Sequence, residues 1–143
     1  MTTLAQINSH LKGLSEPAQS EMKALHDFII NIMPGCKLWF DDGVGDGTKA
    51  SINPTIGYGL QVMKYANGST REFFQIGLSG TKTGISVYIL GLTDKKYLPV
   101  TIGPRLGKAK VTGYCIKFKS FNDIDKKVLT EAIKHGVKAT KLK

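Results

Sequence analysis

Short runs in which apolar residues alternate with other residues recur between positions 56 and 118, and they constrain the fold more than any other feature. Apolar side chains occupy every second position in four runs: Ile56 to Val62, Phe74 to Leu78, Ile85 to Ile89 and Ile116 to Phe118. Successive side chains of a strand point to opposite faces of a sheet, so each run predicts a strand with one buried face. Asn67-Gly68 predicts a tight hairpin turn, and short strands joined by such turns predict an antiparallel meander.

Amphipathic helices are predicted on both sides of these strands. A short one runs from Thr3 to about Leu11, and a long one follows the capping pattern Ser15-Glu-Pro17 and stops at Pro34-Gly35. At 100° per residue the long helix carries one apolar side, made of Ala18, Met22, Leu25, Phe28, Ile29, Ile32 and Met33.

The last predicted helix runs from about Ile124 to Val137, after Asn122 and Asp123 as capping residues. Helices at both ends of an antiparallel sheet need one sheet face to cover. The sequence therefore predicts an α+β fold, with about five antiparallel strands and the N- and C-terminal helices packed on one face.

Length and composition predict a single domain spanning residues 1–143, with a globular part of about 15–137. The chain has 143 residues, of which 41% are hydrophobic and 22% are charged, as in an ordinary globular domain. No apolar stretch approaches the ~20 residues of a membrane span, so no membrane partner is expected. Cys36 and Cys115 have no framework of further cysteines. With no membrane span and no signal-peptide pattern in its first residues, the chain is predicted to be cytoplasmic, where the two cysteines stay unbonded thiols.

The chain carries a large surplus of positive charge, with 20 basic against 11 acidic residues and a net charge of +9. Such a surplus favours anionic partners, among them nucleic acid and phosphorylated small molecules. Six lysines fall on the last helix and tail, where a solvated helix face accounts for them: Lys126, Lys127, Lys134, Lys138, Lys141 and Lys143. An anionic small molecule is therefore favoured over nucleic acid.

The segment from Arg105 to Lys119 concentrates basic residues and glycines at the start of the last strand. Lys108, Lys110 and Lys117 are predicted to supply positive charge to a ligand, and Gly113 to allow close backbone approach. Tyr88 or Trp39 is predicted to form an aromatic wall of the same site.

Motifs for catalysis are weak. Residues 103–108 are similar to a phosphate-binding loop, but the spacing is one residue short and Ala109 stands where a metal-binding serine or threonine belongs. No nucleophile, base and orienting group can be assembled from the sequence, so binding is favoured over catalysis and no cofactor is expected. Asp41, Asp42 and Asp46 cluster in one loop and could hold a hard cation weakly, because no glutamate completes the set.

Several short motifs resemble the YdhG-like family of small bacterial proteins, which is grouped with the frataxin-like proteins. They are Pro34-Gly35, Trp39, Pro54-Thr-Ile-Gly57-Tyr58-Gly59, Lys64-Tyr65-Ala-Asn-Gly68, Phe74 with Gly77, Val87-Tyr-Ile89, Leu106-Gly-Lys108-x-Lys110, Gly113-x-Cys115-Ile-Lys117 and Asp123-Ile-Asp125. The resemblance implies a frataxin-like two-layer sandwich, in a family that mostly has no assigned activity. It also implies iron as a candidate ligand, because one relative is regarded as an iron chaperone and frataxins hold iron on a carboxylate ridge.

Three functions follow, in order of preference. The first is a binding module for an anionic or phosphorylated small ligand. The second is a protein-interaction domain or homodimer that uses the uncovered sheet face, where Met63, Tyr65, Phe73 and Tyr88 would form a patch. The third is iron binding at Asp41, Asp42 and Asp46, which the basic charge of the chain disfavours.

Overall fold

The computed structural model of the chain describes residues 2–41, 54–81 and 84–141. These residues form the helices α1 (Thr3–Lys12), α2 (Ala18–Ile32), α3 (Gly103–Leu106) and α4 (Lys126–Ala139). A π-helical turn, Leu98–Ile102, precedes α3, and a 3-10 turn, Phe121–Asp123, precedes α4. None of the helices in the described ranges is both long and apolar enough to cross a membrane.

The strands are β1 (Leu38–Asp41), β2 (Thr55–Tyr58), β3 (Gln61–Lys64), β4 (Thr70–Phe73), β5 (Ile76–Thr81), β6 (Gly84–Ile89), β7 (Lys110–Val111) and β8 (Cys115–Phe118). Six of them form one sheet in the order β1-β2-β5-β6-β8-β7, in which all neighbours are antiparallel. β3 and β4 pair with each other as a separate hairpin. The predicted α+β class is confirmed, with six strands in the main sheet instead of about five because β7 adds an edge.

The main core lies between the helices and one face of the six-stranded sheet, which we call the helix-covered face. Strand register aligns five side chains across this face: Phe40, Ile56, Leu78, Val87 and Ile116. Leu25 and Ile29 of α2 and Leu129 and Ile133 of α4 pack in the same cluster and are fully buried. Burial of such side chains contributes about 1.5–3 kcal/mol each, so this layer dominates the stability of the fold.

The opposite face of the sheet, the second face, carries two rows of residues. One row is polar and ends in two lysines: Asp41, Thr55, Ser79, Ser86, Lys117 and Lys110. The other contains Trp39, Gly57, Gly77, Tyr88 and Cys115. Thr55, Ser79 and Ser86 are only 7%, 0% and 4% exposed. The second face is therefore not an open surface at its centre.

The single strand predicted from Ile56 onward is divided at Gly59. This residue has a φ of +86°, a left-handed conformation that favours glycine and turns the chain out of the main sheet. As a result Val62, predicted to be buried, is 39% exposed, whereas Gln61 is 4% exposed. The Gln61 side-chain amide donates to the carbonyl oxygens of Phe74 and Leu90, at 3.0 and 3.2 Å, which explains how its amide is buried.

The predicted faces of Phe74 and Gln75 were wrong. Phe74 packs on the second face, with its ring 4.1 Å from that of Phe73 and 6.2 Å from that of Trp39, measured between centroids. The Gln75 amide instead reaches the end of α4 and donates to the Val137 carbonyl at 3.2 Å. The chain passes from the β3–β4 hairpin into β5 at these two residues, so the alternation restarts there.

Helix boundaries follow the sequence closely at the end of α2 and less so at its start and at α4. The predicted cap Ser15 lies outside the helix, which begins at Ala18 after Pro17 and has no side-chain cap. α2 ends at Ile32, next to the predicted Pro34-Gly35 stop. The cap of α4 is Asp125, whose carboxylate accepts from the Lys127 amide at 2.9 Å, because the predicted caps Asn122 and Asp123 lie in the 3-10 turn. Phe28 of α2 is only half-buried, with its ring edge-on to Phe121.

A carboxylate joins α2 to the segment that precedes α4. Glu21 accepts hydrogen bonds from the Ser120 hydroxyl at 3.0 Å and from the Phe121 amide at 2.9 Å. We expect Glu21→Ala to lower the free energy of unfolding by about 1–2 kcal/mol, since bonds to a charged acceptor are stronger than neutral ones. Urea denaturation should measure this loss. Glu72→Ala, an exposed change of equal charge, should cost less than about 0.5 kcal/mol, and equal losses for both variants would contradict the link.

Candidate functional site

The predicted basic site forms around the short β7–β8 hairpin. Lys110 and Lys117 are direct partners across the two antiparallel strands. The turn between them is closed by the Thr112 amide, which donates to the Cys115 carbonyl at 2.8 Å. Partners on antiparallel strands lie on the same face, so the hairpin places these two lysine side chains side by side.

A groove of about 540 Å³ lies beside this hairpin. Its lining consists of Lys108, Ala109, Lys110, Lys117, Phe118, Lys119 and Asp123. The structure thus brings together the three predicted lysines and adds Lys119, which the sequence analysis had not assigned to the site. Lys108 precedes β7, and its amide donates to the Asp123 carbonyl at 3.1 Å, so the direct cross-strand lysine pair of the groove is Lys110 with Lys117.

The charge in the groove is unbalanced among the described residues. Four lysines line it against one carboxylate, that of Asp123. The ion pairs found in the described ranges are Lys23–Asp27 and Arg105–Glu131, and neither involves a groove lysine. Like charges directly opposite each other on paired strands destabilise a sheet by roughly 0.2–1 kcal/mol. An anion bound between them would remove this repulsion.

The groove rests on an ordered backbone. The Lys108 amide donates to the Asp123 carbonyl at 3.1 Å, and the Asp125 amide donates to the Leu106 carbonyl at 2.7 Å. These two bonds hold the segment before β7 against the segment before α4. Phe118, which lines the groove, is 3% exposed and belongs to the main core. The lysines are therefore attached to a rigid platform.

Gly113 is needed for packing of the β7–β8 turn, which differs from its predicted role in ligand binding. A Cβ atom on Gly113 would lie 3.1 Å from the Lys95 carbonyl oxygen. The glycine thus allows the β7–β8 turn to approach the chain at Lys95, and it is absent from the groove lining. Its predicted role in approaching a ligand is not supported by its position.

The two predicted aromatic walls lie away from the lysines. Tyr88 is the strand partner of Cys115, and its ring stacks on Tyr114 with 6.4 Å between centroids. It shares the second face with Lys117 but is absent from the groove lining. Trp39 lies on β1, five strand spacings from β7, or about 24 Å at 4.8 Å per spacing. Trp39 therefore cannot form a wall of the lysine groove.

The proposed metal ligands are described only in part. Asp41 ends β1, whereas Asp42 and Asp46 lie outside the described residues. Within the described ranges, no three histidine, cysteine, aspartate or glutamate side chains come together as a metal site would require.

The residues of the predicted interaction patch belong to two different sheets. Met63, Tyr65 and Phe73 lie on or next to the β3–β4 hairpin, and Tyr88 lies on β6 of the main sheet. Tyr65 is 45% exposed, but the centre of the second face between the sheets is buried. The four side chains are therefore presented by two separate sheets, and the interaction patch stays a prediction.

Both cysteines are free thiols, in agreement with the prediction. Burial raises the pKa of Cys36 and also that of Cys115. A raised pKa keeps each sulfur protonated at neutral pH, which lowers its reactivity as a nucleophile.

Comparison with known proteins adds no relative: no protein-family model, curated protein or solved structure matches this chain. The YdhG-like resemblance therefore stays a prediction from the residues that carry it.

Proposed function

We propose that this chain is a non-enzymatic binding protein for a small phosphorylated or otherwise anionic ligand, held in the lysine groove. The observation that supports the proposal most is the direct pairing of Lys110 with Lys117, with Lys108 and Lys119 lining the same groove. Such an arrangement costs stability in the free protein and is relieved when an anion binds.

A phosphate group suits this lining in charge and geometry. A lysine ammonium is a compact point charge with three donors on a flexible stem, so several lysines can surround a multiply charged oxyanion. The volume of about 540 Å³ lies within the range of small-molecule sites. No described lining residue is a histidine, serine or cysteine, which favours binding over group transfer.

We also infer a cytoplasmic protein of the YdhG-like family. Two half-buried free thiols suit a reducing compartment. The family assignment is supported by the short motifs alone. Iron binding and a homodimer are the lesser alternatives to this proposal.

Binding of pyrophosphate tests the proposal. Thermal unfolding of the wild-type protein should shift upward with pyrophosphate concentration as mass action requires, and sodium chloride at equal ionic strength should not reproduce the shift. We expect Lys108→Ala with Lys110→Ala to weaken binding by about tenfold or more, because charged hydrogen bonds are removed. Both side chains are exposed, and the loss of Lys110 relieves the repulsion with Lys117, so the melting temperature without ligand should stay the same or rise slightly.

A control of equal net charge separates a site from general attraction to a basic protein. Lys12→Ala with Lys64→Ala removes two exposed lysines far from the groove lining and should bind pyrophosphate like the wild type. Asp123→Asn, which removes the described carboxylate of the groove, should strengthen binding. Equal weakening in both double-lysine variants, or no saturable shift in the wild type, would overturn the proposal.

A further inference from the structure

A second cavity, of about 300 Å³, lies at the opposite edge of the main sheet from the lysine groove. It opens beside β1, and α1 and the β3–β4 hairpin also contribute to its lining. Six of its lining residues carry the argument: Gln6, Trp39, Asp41, Arg71, Phe73 and Phe74. Aromatic side chains form the walls, and polar groups are few, as in sites for small organic molecules.

The aromatic walls are held in place before any ligand arrives. The Trp39 indole N–H donates to the Gly59 carbonyl at 2.7 Å, which fixes the orientation of the ring. Phe74 is 6% exposed and forms a floor against Phe73. The rings of Trp39 and Phe73 are 6.3 Å apart between centroids and inclined by 67°. Because Phe74 and Arg71 lie against the ring of Phe73, a flat ligand ring would meet Phe73 edge-on, which is a favoured aromatic geometry.

Cationic side chains lie over both walls. The guanidinium carbon of Arg71 is 4.9 Å from the centroid of Phe73, and the Lys37 ammonium is 4.4 Å from the centroid of Trp39. Arg71 forms no ion pair with any residue in the described ranges. A guanidinium that stacks on a ring keeps the N–H groups in its own plane available, and this planar fork matches a carboxylate.

We propose that this cavity binds a small aromatic carboxylate, with its ring against Trp39 and Phe73 and its carboxylate on the Arg71 guanidinium. The volume of about 300 Å³ suits one ring with a short side chain. Arg71 is the cation among the lining residues, and one guanidinium suits a monoanion better than a doubly charged phosphate ester. The site is thus distinct in ligand class from the lysine groove, and it does not depend on that groove.

The experiment uses Trp39 as its own reporter, because it is the single tryptophan of the chain. Tryptophan fluorescence, excited selectively, is followed during titration with phenylacetate, cyclohexylacetate and phenethylamine. We expect a saturable change with phenylacetate and weaker binding of cyclohexylacetate, which keeps the charge but has no aromatic ring. Phenethylamine keeps the ring but carries the opposite charge and should not bind.

Variants locate the carboxylate. Arg71→Gln should weaken phenylacetate binding by at least about tenfold, because a bidentate charged bond is removed. Arg71→Lys should bind with intermediate affinity, since the charge remains but the planar fork is lost. Arg105→Gln is the matched control. Arg105 is the other arginine of the chain and forms an ion pair with Glu131 at 2.9 Å, so the Arg105→Gln variant should bind phenylacetate like the wild type.

Three results would overturn the inference: no saturable change with phenylacetate, an equal response to phenethylamine, or unaltered binding by Arg71→Gln. Circular dichroism of each variant checks the fold, and Arg71 is exposed, so both substitutions should leave it intact. Phenylacetate should bind to the Lys108→Ala, Lys110→Ala variant as to the wild type. Failure of this site and failure of the lysine groove are therefore separate outcomes.

Discussion

Replacing Gly57 with valine should lower the free energy of unfolding by about 3 kcal/mol, at the upper end of the usual cost of overpacking. Gly57 is buried in β2 on the second face, between Trp39 on one neighbouring strand and Gly77 on the other. A Cβ atom built there would lie 2.5 Å from Cγ and Cδ1 of Phe74 and 2.8 Å from its Cβ. Atoms this close to the backbone cannot swing away without moving the chain.

A double-mutant cycle attributes the loss to Phe74. Urea denaturation should be measured for Gly57→Ala, Phe74→Ala and the combined variant. We expect the penalty of Gly57→Ala to shrink by at least about 1 kcal/mol when Phe74 is absent, as is typical for residues in direct contact. Gly13→Ala is the control, because a Cβ there meets only ordinary contacts at 3.5 Å and beyond. Additive losses in the cycle would show that Phe74 is not the obstacle.

The packing of Phe74 against Gly57 also supports the aromatic cavity beside Trp39. The Phe74 ring lies across Gly57 and Gly77, with its Cε2 atom 3.0 Å from a Cβ built on Gly77. Because both residues are glycines, the Phe74 ring packs directly against the sheet. Phe73 and Trp39 in turn pack against the Phe74 ring. Gly57→Ala should accordingly weaken phenylacetate binding even where the protein stays folded.

Much of the main sheet could be predicted from the sequence, because the period of the side chains is strict within one strand. The alternation of Ile76 with Leu78, and of Val87 with Ile89, gave the correct buried face. The alternation predicted the wrong faces at Phe74 and Gln75, where the chain passes from the β3–β4 hairpin into the main sheet. Nothing in the local pattern indicates that Phe74 and Gln75 form a junction between β4 and β5, since that depends on the packing of the whole hairpin.

The candidate site was predictable only where its residues are close in sequence. Lys110 and Lys117 lie on two strands joined by a short turn, so local reasoning brought them together correctly. The position of Trp39 depends on the strand order β1-β2-β5-β6-β8-β7, which the sequence does not contain in any local form. Trp39 was therefore assigned to the wrong edge of the sheet.

The aromatic cavity was missed, although a signal for it exists. Lys37 with Trp39, and Arg71 with Phe73, each place a cation two residues before an aromatic ring, in or next to the strands β1 and β4. Side chains two residues apart share one face of a strand, so each pair could have been read as a cation stacked on a ring. What the sequence could not supply is that Trp39, Arg71 and Phe73 line the same cavity.

Acidification below about pH 6.5 should destabilise the protein through His26. His26 is 7% exposed, and its Nδ1 lies 2.7 Å from the hydroxyl of Tyr58, which is fully buried. Burial lowers the pKa of His26, and the nearby Lys23 lowers it further, while Asp27 opposes both. Burial also raises the pKa of Tyr58 well above its usual value, so the phenol stays protonated and can donate to the neutral imidazole.

The direction of the pH effect follows from proton uptake. Because the folded pKa of His26 lies below the unfolded value, the unfolded chain binds more protons as the pH falls through about 6.5. The stabilisation is therefore complete above that pH and is lost below it. Burial lowers the pKa of His10 as well, so both histidines contribute to the slope, and protonation of His26 additionally removes the acceptor of the Tyr58 hydroxyl.

Urea denaturation at pH 7.5, 6.5 and 5.5, a range set by the ~6.5 of an unperturbed histidine, measures this slope. His26→Gln keeps a hydrogen-bond acceptor but cannot titrate, so its stability should fall less between pH 7.5 and 5.5 than that of the wild type, and adding His10→Gln should flatten the dependence further. Tyr58→Phe should cost about 2 kcal/mol at neutral pH, because it leaves a buried ring nitrogen without its partner. A slope unchanged by His26→Gln would show that the imidazole of the folded protein takes up protons as readily as that of the unfolded chain.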